Sequence, residues 1–157
     1  MGYIFSSKTV IWKISIVEQN KKISHLFLKQ KEIPNIYEYK ATPLLKEAFF
    51  QLEKYLEWKI KNFSLPLNPQ GTVFMKSVWE ALQKIPYGKT KSYKEIAEII
   101  GNPKAIRAVG MANNKNPIAI FIPCHRVIGH NGSLVGYGWW LEIKKKLLKL
   151  EGVKIKK

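Results

Sequence analysis

An α+β chain in two parts is predicted, with a small N-terminal α/β unit followed by a mostly helical C-terminal domain. Three observations predict it. The first 30 residues hold two apolar-alternating runs separated by a polar turn. A stretch rich in proline and asparagine, NFSLPLNPQG, follows one amphipathic helix. Beyond that stretch the apolar spacing is helical almost to the end.

Taken in order, residues 9–17 alternate with Val10, Trp12, Ile14 and Ile16 on one face, which predicts a half-buried strand. EQNK supplies a turn and KISHLFLK the partner strand. TPLLKEAFFQLEKYLEWKI opens with Thr42 as cap and Pro43 in the first turn. Leu45, Ala48, Phe49, Leu52, Tyr55 and Leu56 share one face of that helix and are expected to cover the strands. The boundaries follow as an N-terminal domain over 1–61, a linker over 62–71 and a C-terminal domain over 72–157.

In the second part, FMKSVWEALQKI places Phe74, Val78, Leu82 and Ile85 on one side. SYKEIAEIIG carries a capping box, Ser92 with Glu95, and stops at Gly101. NPKAIRAVGMANNK restarts with Asn102 as the expected cap and Pro103 in the first turn. The two helices between Ser92 and Lys115 have the length and punctuation of a helix-turn-helix. IAIFI is a buried apolar run expected to be extended, and WLEIKKKLLKLEG is a last helix ended by Gly152.

Composition narrows the function. Lys and Arg number 27 against 11 acidic residues, a net charge of +16, which favours a polyanionic partner. No apolar run has the roughly 20 residues of a membrane span, and no cationic amphipathic helix of the membrane-surface type stands out. The first 17 residues lack the pattern of a signal peptide, so a cytoplasmic location is expected, nuclear only in a eukaryote. One cysteine and three histidines give neither an internal disulfide nor a multi-thiolate zinc site, so no metal is expected.

That cysteine, Cys124, stands in IPCHRV beside His125 and Arg126. A lone cysteine can be merely a small buried hydrophobe. Paired with histidine it suits acyl transfer, as in cysteine hydrolases, or displacement at carbon. The hydrolase reading needs an oxyanion hole and an orienting Asn or Asp, whose local signatures are absent.

IPCHRVIGHNG, preceded by IPYGKTKSYKEIA and GNPKAIRAVGMANNKNP, resembles the O6-alkylguanine-DNA alkyltransferase family from about Phe74 to Gly152. The N-terminal part fits that family's ribonuclease-H-like domain in general architecture. The resemblance implies repair of double-stranded DNA by irreversible transfer of an alkyl group from O6-alkylguanine, and also from O4-alkylthymine, to Cys124. It implies His125 as the base acting through a water, Glu151 as its orienting carboxylate and Tyr93 as proton donor to the leaving guanine. Arg107 would fill the space of a flipped-out nucleotide, with Lys94 and Asn102 on the DNA backbone and docking in the minor groove. Asn116 would support the active-site segment, and Tyr137 with Gly138 would form the substrate loop. Gly138 departs from the side-chain donor usual in that loop, and the cysteines of the zinc site present in some members are missing. A monomer that uses no cofactor is expected.

Overall fold

The computed structural model describes residues 2–135 and 138–155. Its elements are β1 (Gly2–Lys8), β2 (Lys13–Gln19), β3 (Lys22–Phe27), β4 (Glu38–Tyr39), α1 (Pro43–Leu56), α2 (Val73–Gln83), β5 (Lys91–Ser92), α3 (Tyr93–Ile99), α4 (Ile106–Asn114), β6 (Val127–Ile128) and α5 (Gly138–Leu150). The chain divides into two compact units. One runs to Gln70 and includes Pro117–Phe121; the other comprises Gly71–Asn116 and everything from Ile122 onward.

The first unit is a four-stranded sheet in the order β3-β2-β1-β4. β1 and β2 are antiparallel, with Gly2 opposite Gln19 and Lys8 opposite Lys13. β2 and β3 are joined by Asn20 and Lys21, both with positive φ (53° and 61°). That is the two-residue hairpin geometry whose twist matches the strands.

The strand expected over 9–17 is corrected. The strand covers 13–19, preceded by an unforeseen first strand, and Val10 and Trp12 are 83% and 42% exposed in the connecting turn. The Thr9 hydroxyl closes that turn, accepting from the Ile11 and Trp12 amides and donating to the Trp12 carbonyl at 2.6 Å. Alternation also fails as a guide to β2 because both its faces are buried. Ile14 and Ile16 are on one face, Ser15 and Val17 on the other, and all four have no exposure.

α1 forms as expected. Thr42 accepts from the Leu45 amide, Pro43 opens the first turn, and all six apolar positions named from the periodicity are buried. Phe49 meets Phe5 of β1 edge to face, 5.7 Å between ring centres. Thr42 also donates its hydroxyl hydrogen to the buried Glu18 carboxylate on β2, so one side chain caps the helix and ties it to the sheet.

The segment expected to be a free linker is a packed part of this unit. Ile23 donates to the Pro66 carbonyl and accepts from the Asn68 amide, both at 2.8 Å. Leu67 thereby pairs with β3, and Phe63 lies 5.1 Å from the Tyr55 ring. Further along the same edge, Leu26 donates to the Pro117 carbonyl at 2.8 Å and Ile118 forms a second parallel bridge. Two distant segments therefore cover the edge of β3, which would otherwise offer unpaired backbone groups. The apolar run IAIFI is correspondingly not one extended strand, since it bridges at Ile118 and turns at Ile120, whose φ is +74°.

In the second unit, Thr72 caps α2, and Gly71 has no room for a side chain because a Cβ would lie 2.5 Å from the Trp79 indole. Trp79 is buried and donates to the Ala112 carbonyl at 2.9 Å, fixing α2 to α4. Val78, Leu82, Ile85, Ile96, Val109, Ile143, Leu147 and Leu148 complete the core. The capping box at the start of α3 is present in full, with Ser92 accepting from the Glu95 amide and Glu95 from the Ser92 amide. Among the described residues, no helix is long and apolar enough to cross a membrane.

The double duty of Thr42 gives a test of the first unit. Thr42→Val, which keeps the shape and removes the oxygen, should cost about 1–2 kcal/mol in urea denaturation, and Thr42→Ser much less. Equal stability of Val and wild type would show that neither the cap nor the Glu18 bond matters.

Candidate active site

After Phe121 the chain enters the second unit at Ile122. Cys124 donates its amide to the Ile122 carbonyl at 2.8 Å, and Pro123 leads into a single 3₁₀ turn, Cys124–Arg126. All three side chains of the turn are buried. β6 then pairs parallel with β5, placing Val127 opposite Lys91 and Ile128 opposite Ser92. This short ladder sets the start of α3, and so Tyr93, beside the turn that carries the thiol.

The centre of the arrangement is the carboxylate of Glu151, one residue past the end of α5 and 6% exposed. His125 Nε2 lies 2.8 Å and Arg126 Nη2 3.0 Å from Oε2. Arg126 Nε donates at 2.9 Å and the Gly88 amide at 3.0 Å to Oε1. Each oxygen thus accepts twice, and Arg126 Nη1 is satisfied by the Ile85 carbonyl at 2.7 Å. Gly88 has φ of +77°, and a Cβ there would meet the Glu151 carbonyl at 3.1 Å, so this tight turn requires glycine. Tyr87 closes the corner by donating to the Leu150 carbonyl at 3.2 Å.

Charge balance decides the state of His125. Burial pushes its pKa down from the usual 6.5, against the hydrogen bond and charge of Glu151. Arg126 already supplies the cation that this carboxylate needs, so the imidazole is neutral. Nε2 then carries the hydrogen toward Glu151 and Nδ1 keeps its lone pair. Nδ1 is buried and makes no hydrogen bond to any described residue.

The Cys124 thiol is 4% exposed, and burial pushes its pKa up, partly opposed by a hydrogen bond from Asn116 and the charge of Lys144. Asn116 also donates to the Ile122 carbonyl at 2.8 Å, bracing the segment just before the thiol. Tyr93, half-buried, has its pKa raised to about 12, first by burial and then by the neighbouring Cys124. The phenol therefore keeps its proton and stands as a donor near the sulfur.

Cys124, His125, Glu151, Tyr93 and Asn116, all singled out in the sequence, come together here. Sequence reasoning missed the partners of this group. Arg126 was seen only as a neighbour of His125. Lys144 is buried, donating to the Val127 and Val135 carbonyls at 2.6 and 3.1 Å. Burial lowers its pKa to about 8, with Cys124 acting in the opposite direction. Its signal was available, since it falls among Ile143, Leu147 and Leu148 on the apolar stripe of α5, where a lysine is out of place.

Arg107 lies in the first turn of α4 and Lys94 in the first turn of α3, and both are exposed. Asn102 is corrected. Its side chain caps nothing; its carbonyl accepts from the Ala105 amide at 2.9 Å, and α4 begins only at Ile106, with Ala105 in the turn. Pro103 belongs to that turn, which pushes the helix start past both residues. Asn102 is left exposed beside Lys104. Gly138 opens α5 on the surface with open space around it, and Tyr137 lies outside the described residues. Among the described residues, no group of three or more His, Cys, Asp or Glu is placed to hold a metal.

Comparison with known proteins agrees over nearly the whole length. Residues 2–69 match the family described as 6-O-methylguanine DNA methyltransferase, ribonuclease-like domain, and residues 73–153 match its DNA binding domain. The constitutive methylated-DNA--protein-cysteine methyltransferase of Bacillus subtilis is 46% identical over 163 residues, covering 99% of each chain. That of Methanosarcina mazei is 51% identical over 153 residues, covering 95% of this chain and 96% of the relative. The crystal structure of Mycobacterium tuberculosis O6-methylguanine methyltransferase superposes with a TM-score of 0.90 at 37% identity, covering 96% of this chain and 93% of that one. A structure of the M. tuberculosis protein in complex with DNA gives 0.88 at 39% identity, covering 95% and 92%. A buried thiol, a histidine held by a carboxylate and a match over both domains lead to one conclusion: this chain belongs to the 6-O-methylguanine DNA methyltransferase family.

Proposed function

We propose that this protein repairs DNA by moving the alkyl group of O6-alkylguanine onto Cys124, once per molecule and without a cofactor. The observation that carries the reading is the placing of a single buried thiol next to a neutral histidine locked by Glu151 and Arg126. Such a site can remove one proton from one sulfur. It has no second thiol to release the product.

The reaction is a displacement at the alkyl carbon. The Cys124 sulfur forms the new S–C bond as the C–O6 bond of the base breaks, and the bonding pair leaves with the guanine. The thiol proton passes to His125 Nδ1 through a water, with Glu151 supporting the imidazolium that forms. Tyr93 donates to the base and stabilises the charge it gains, and solvent exchange returns both side chains to their resting states. The thioether is a poor leaving group, so the protein is consumed.

A sulfur at 4% exposure cannot reach a carbon inside a base stack, so the nucleotide turns out of the duplex. Unstacking costs a few kcal/mol, and Arg107 on α4 occupies the vacated place. α3 and α4 act as a helix-turn-helix whose second helix enters the minor groove. Lys94 and Asn102 meet the phosphate backbone, and Asn116 steadies the thiol segment. Tyr137 and Gly138 border the alkyl group, and O4-alkylthymine is a second substrate. The protein works as a monomer on double-stranded DNA, in the cytoplasm, or in the nucleus if its source is a eukaryote.

Intact mass after incubation with a duplex bearing one O6-methylguanine tests the reading. Wild type should gain one methyl group per molecule and stop, and Cys124→Ala should gain none. Lesion binding without a mass gain in wild type would leave a damage sensor instead. Arg107→Ala should slow transfer from the duplex by roughly tenfold or more, yet leave transfer from a single-stranded oligonucleotide unchanged, because there little stacking has to be replaced. Equal slowing on both would place Arg107 in general phosphate binding.

A further inference from the structure

The turn between β1 and β2 carries features that the fold of the first unit does not need. Val10 and Trp12 are 83% and 42% exposed within one short connection. Single exposed apolar side chains need no explanation, but two on one tip give up solvation that a polar turn would keep. Lys8 and Lys13 end the ladder directly opposite each other, and like charges so placed repel. Both are exposed, and neither forms an ion pair among the described residues. Yet the tip is held in shape. The Thr9 hydroxyl braces it, and Ile11, only 9% exposed, anchors it between the two exposed side chains. β4 pairs with β1 only at Tyr3 and Ile4, and β3 leaves β2 at Ser15, so from Ser7 and Ile14 to the tip the ribbon is two strands wide. Ser15 donates to the Gln30 side chain at 3.0 Å, which brings Lys29 and Lys31, with Glu32, toward this end of the sheet.

An exposed apolar tip flanked by lysines fits a partner that is anionic at its rim and apolar inside. Duplex DNA has that layout. Phosphates line the groove, thymine methyl groups stand on the floor of the major groove, and that groove admits a two-stranded ribbon. A lipid surface would call for a broader apolar face than one turn offers. With duplex DNA as the partner, and independently of the alkyl-transfer step, we infer that the β1–β2 turn is a second DNA contact. Val10 and Trp12 rest on base edges in the major groove, and Lys8 and Lys13 meet the phosphates on either side. Binding gives each lysine its own phosphate, so the repulsion between them is relieved in the complex. The contact belongs to the first unit and shares no residue with the helix-turn-helix of the second. It adds affinity for any duplex, damaged or not.

Binding of the full chain to an undamaged duplex, followed by fluorescence anisotropy across a salt series, tests this contact. The duplex carries no lesion, so the result does not depend on methyl transfer. Val10→Ser combined with Trp12→Ser should weaken binding roughly tenfold at fixed salt. Lys8→Gln combined with Lys13→Gln should also weaken it and flatten the slope of log Kd against log salt by up to about 2. This second variant should melt no lower than wild type, because the repulsion is gone, and it decides the matter if the serine variant does not fold. Lys21→Gln combined with Lys22→Gln, at the far end of β2, should leave the slope nearly as in wild type. Equal flattening by that control would reduce the effect to general charge and overturn the inference. So would unchanged affinity in both hairpin variants. Vesicles containing phosphatidylglycerol serve as the second probe, and a loss of binding confined to them would make the turn a membrane contact and overturn it too. Wild type that binds no duplex at all would overturn it together with DNA as the partner.

Discussion

Everything at the active site depends on one buried carboxylate. Glu151, just past the end of α5, accepts four hydrogen bonds from two other places in the chain: the turn after α2 and the 3₁₀ turn that carries the thiol. A lone carboxylate in such a place would be strongly disfavoured, and a lone arginine equally so. Together, with all three guanidinium nitrogens of Arg126 hydrogen-bonded, they make burial tolerable. Removing one member of a pair like this costs about 3–5 kcal/mol, mainly because the other is stranded. The arrangement thus welds three segments into one frame, and the frame aims Cys124 and His125.

The same balance explains how a basic protein keeps a histidine uncharged. Arg126 neutralises Glu151, Lys144 adds a second buried cation nearby, and burial acts on the imidazole in the same direction. The result is a neutral imidazole on the same turn as a protonated thiol, since burial also holds the Cys124 proton in place. A thiol stored in this form is protected from casual electrophiles, and in the proposed reaction it depends on His125 at the moment of use. Exposed cations, among them Lys94, Lys104, Arg107 and Lys115, lie instead on α3, α4 and their turns, where they are free to meet phosphates.

Much of this was legible in the residues. The face of α1 could be read position by position because its apolar spacing is unbroken and its cap and proline agree. The Ser92–Glu95 box is likewise local, and PCHRV marks the thiol in the sequence itself, with Glu151 entering only through the family resemblance. What stayed hidden is what local pattern cannot encode. β2 is buried on both faces, so Ser15 and Val17 erase its alternation while Val10 and Trp12 counterfeit it in a turn. The packing of residues 62–70 and Pro117–Phe121 on the edge of β3 rests on pairings of Ile23 and Leu26 with residues about 40 and 90 positions away. Asn102 looked like a cap because Asn-Pro usually is one, yet here the pair builds the turn itself. The fit of Arg126 to Glu151 and of Lys144 to two carbonyls exists only once the chain has folded.

The state of His125 is where this account is most exposed. Long-range proton–nitrogen correlation NMR on nitrogen-15-labelled protein near neutral pH reads the tautomer of each histidine ring, and a His125→Gln variant assigns the signal. The account predicts a neutral ring with hydrogen on Nε2, directed at Glu151, and a bare Nδ1 ready to take the thiol proton. A doubly protonated ring, or hydrogen on Nδ1, would contradict it. Either would mean that Glu151 and Arg126 do not set a base beside Cys124.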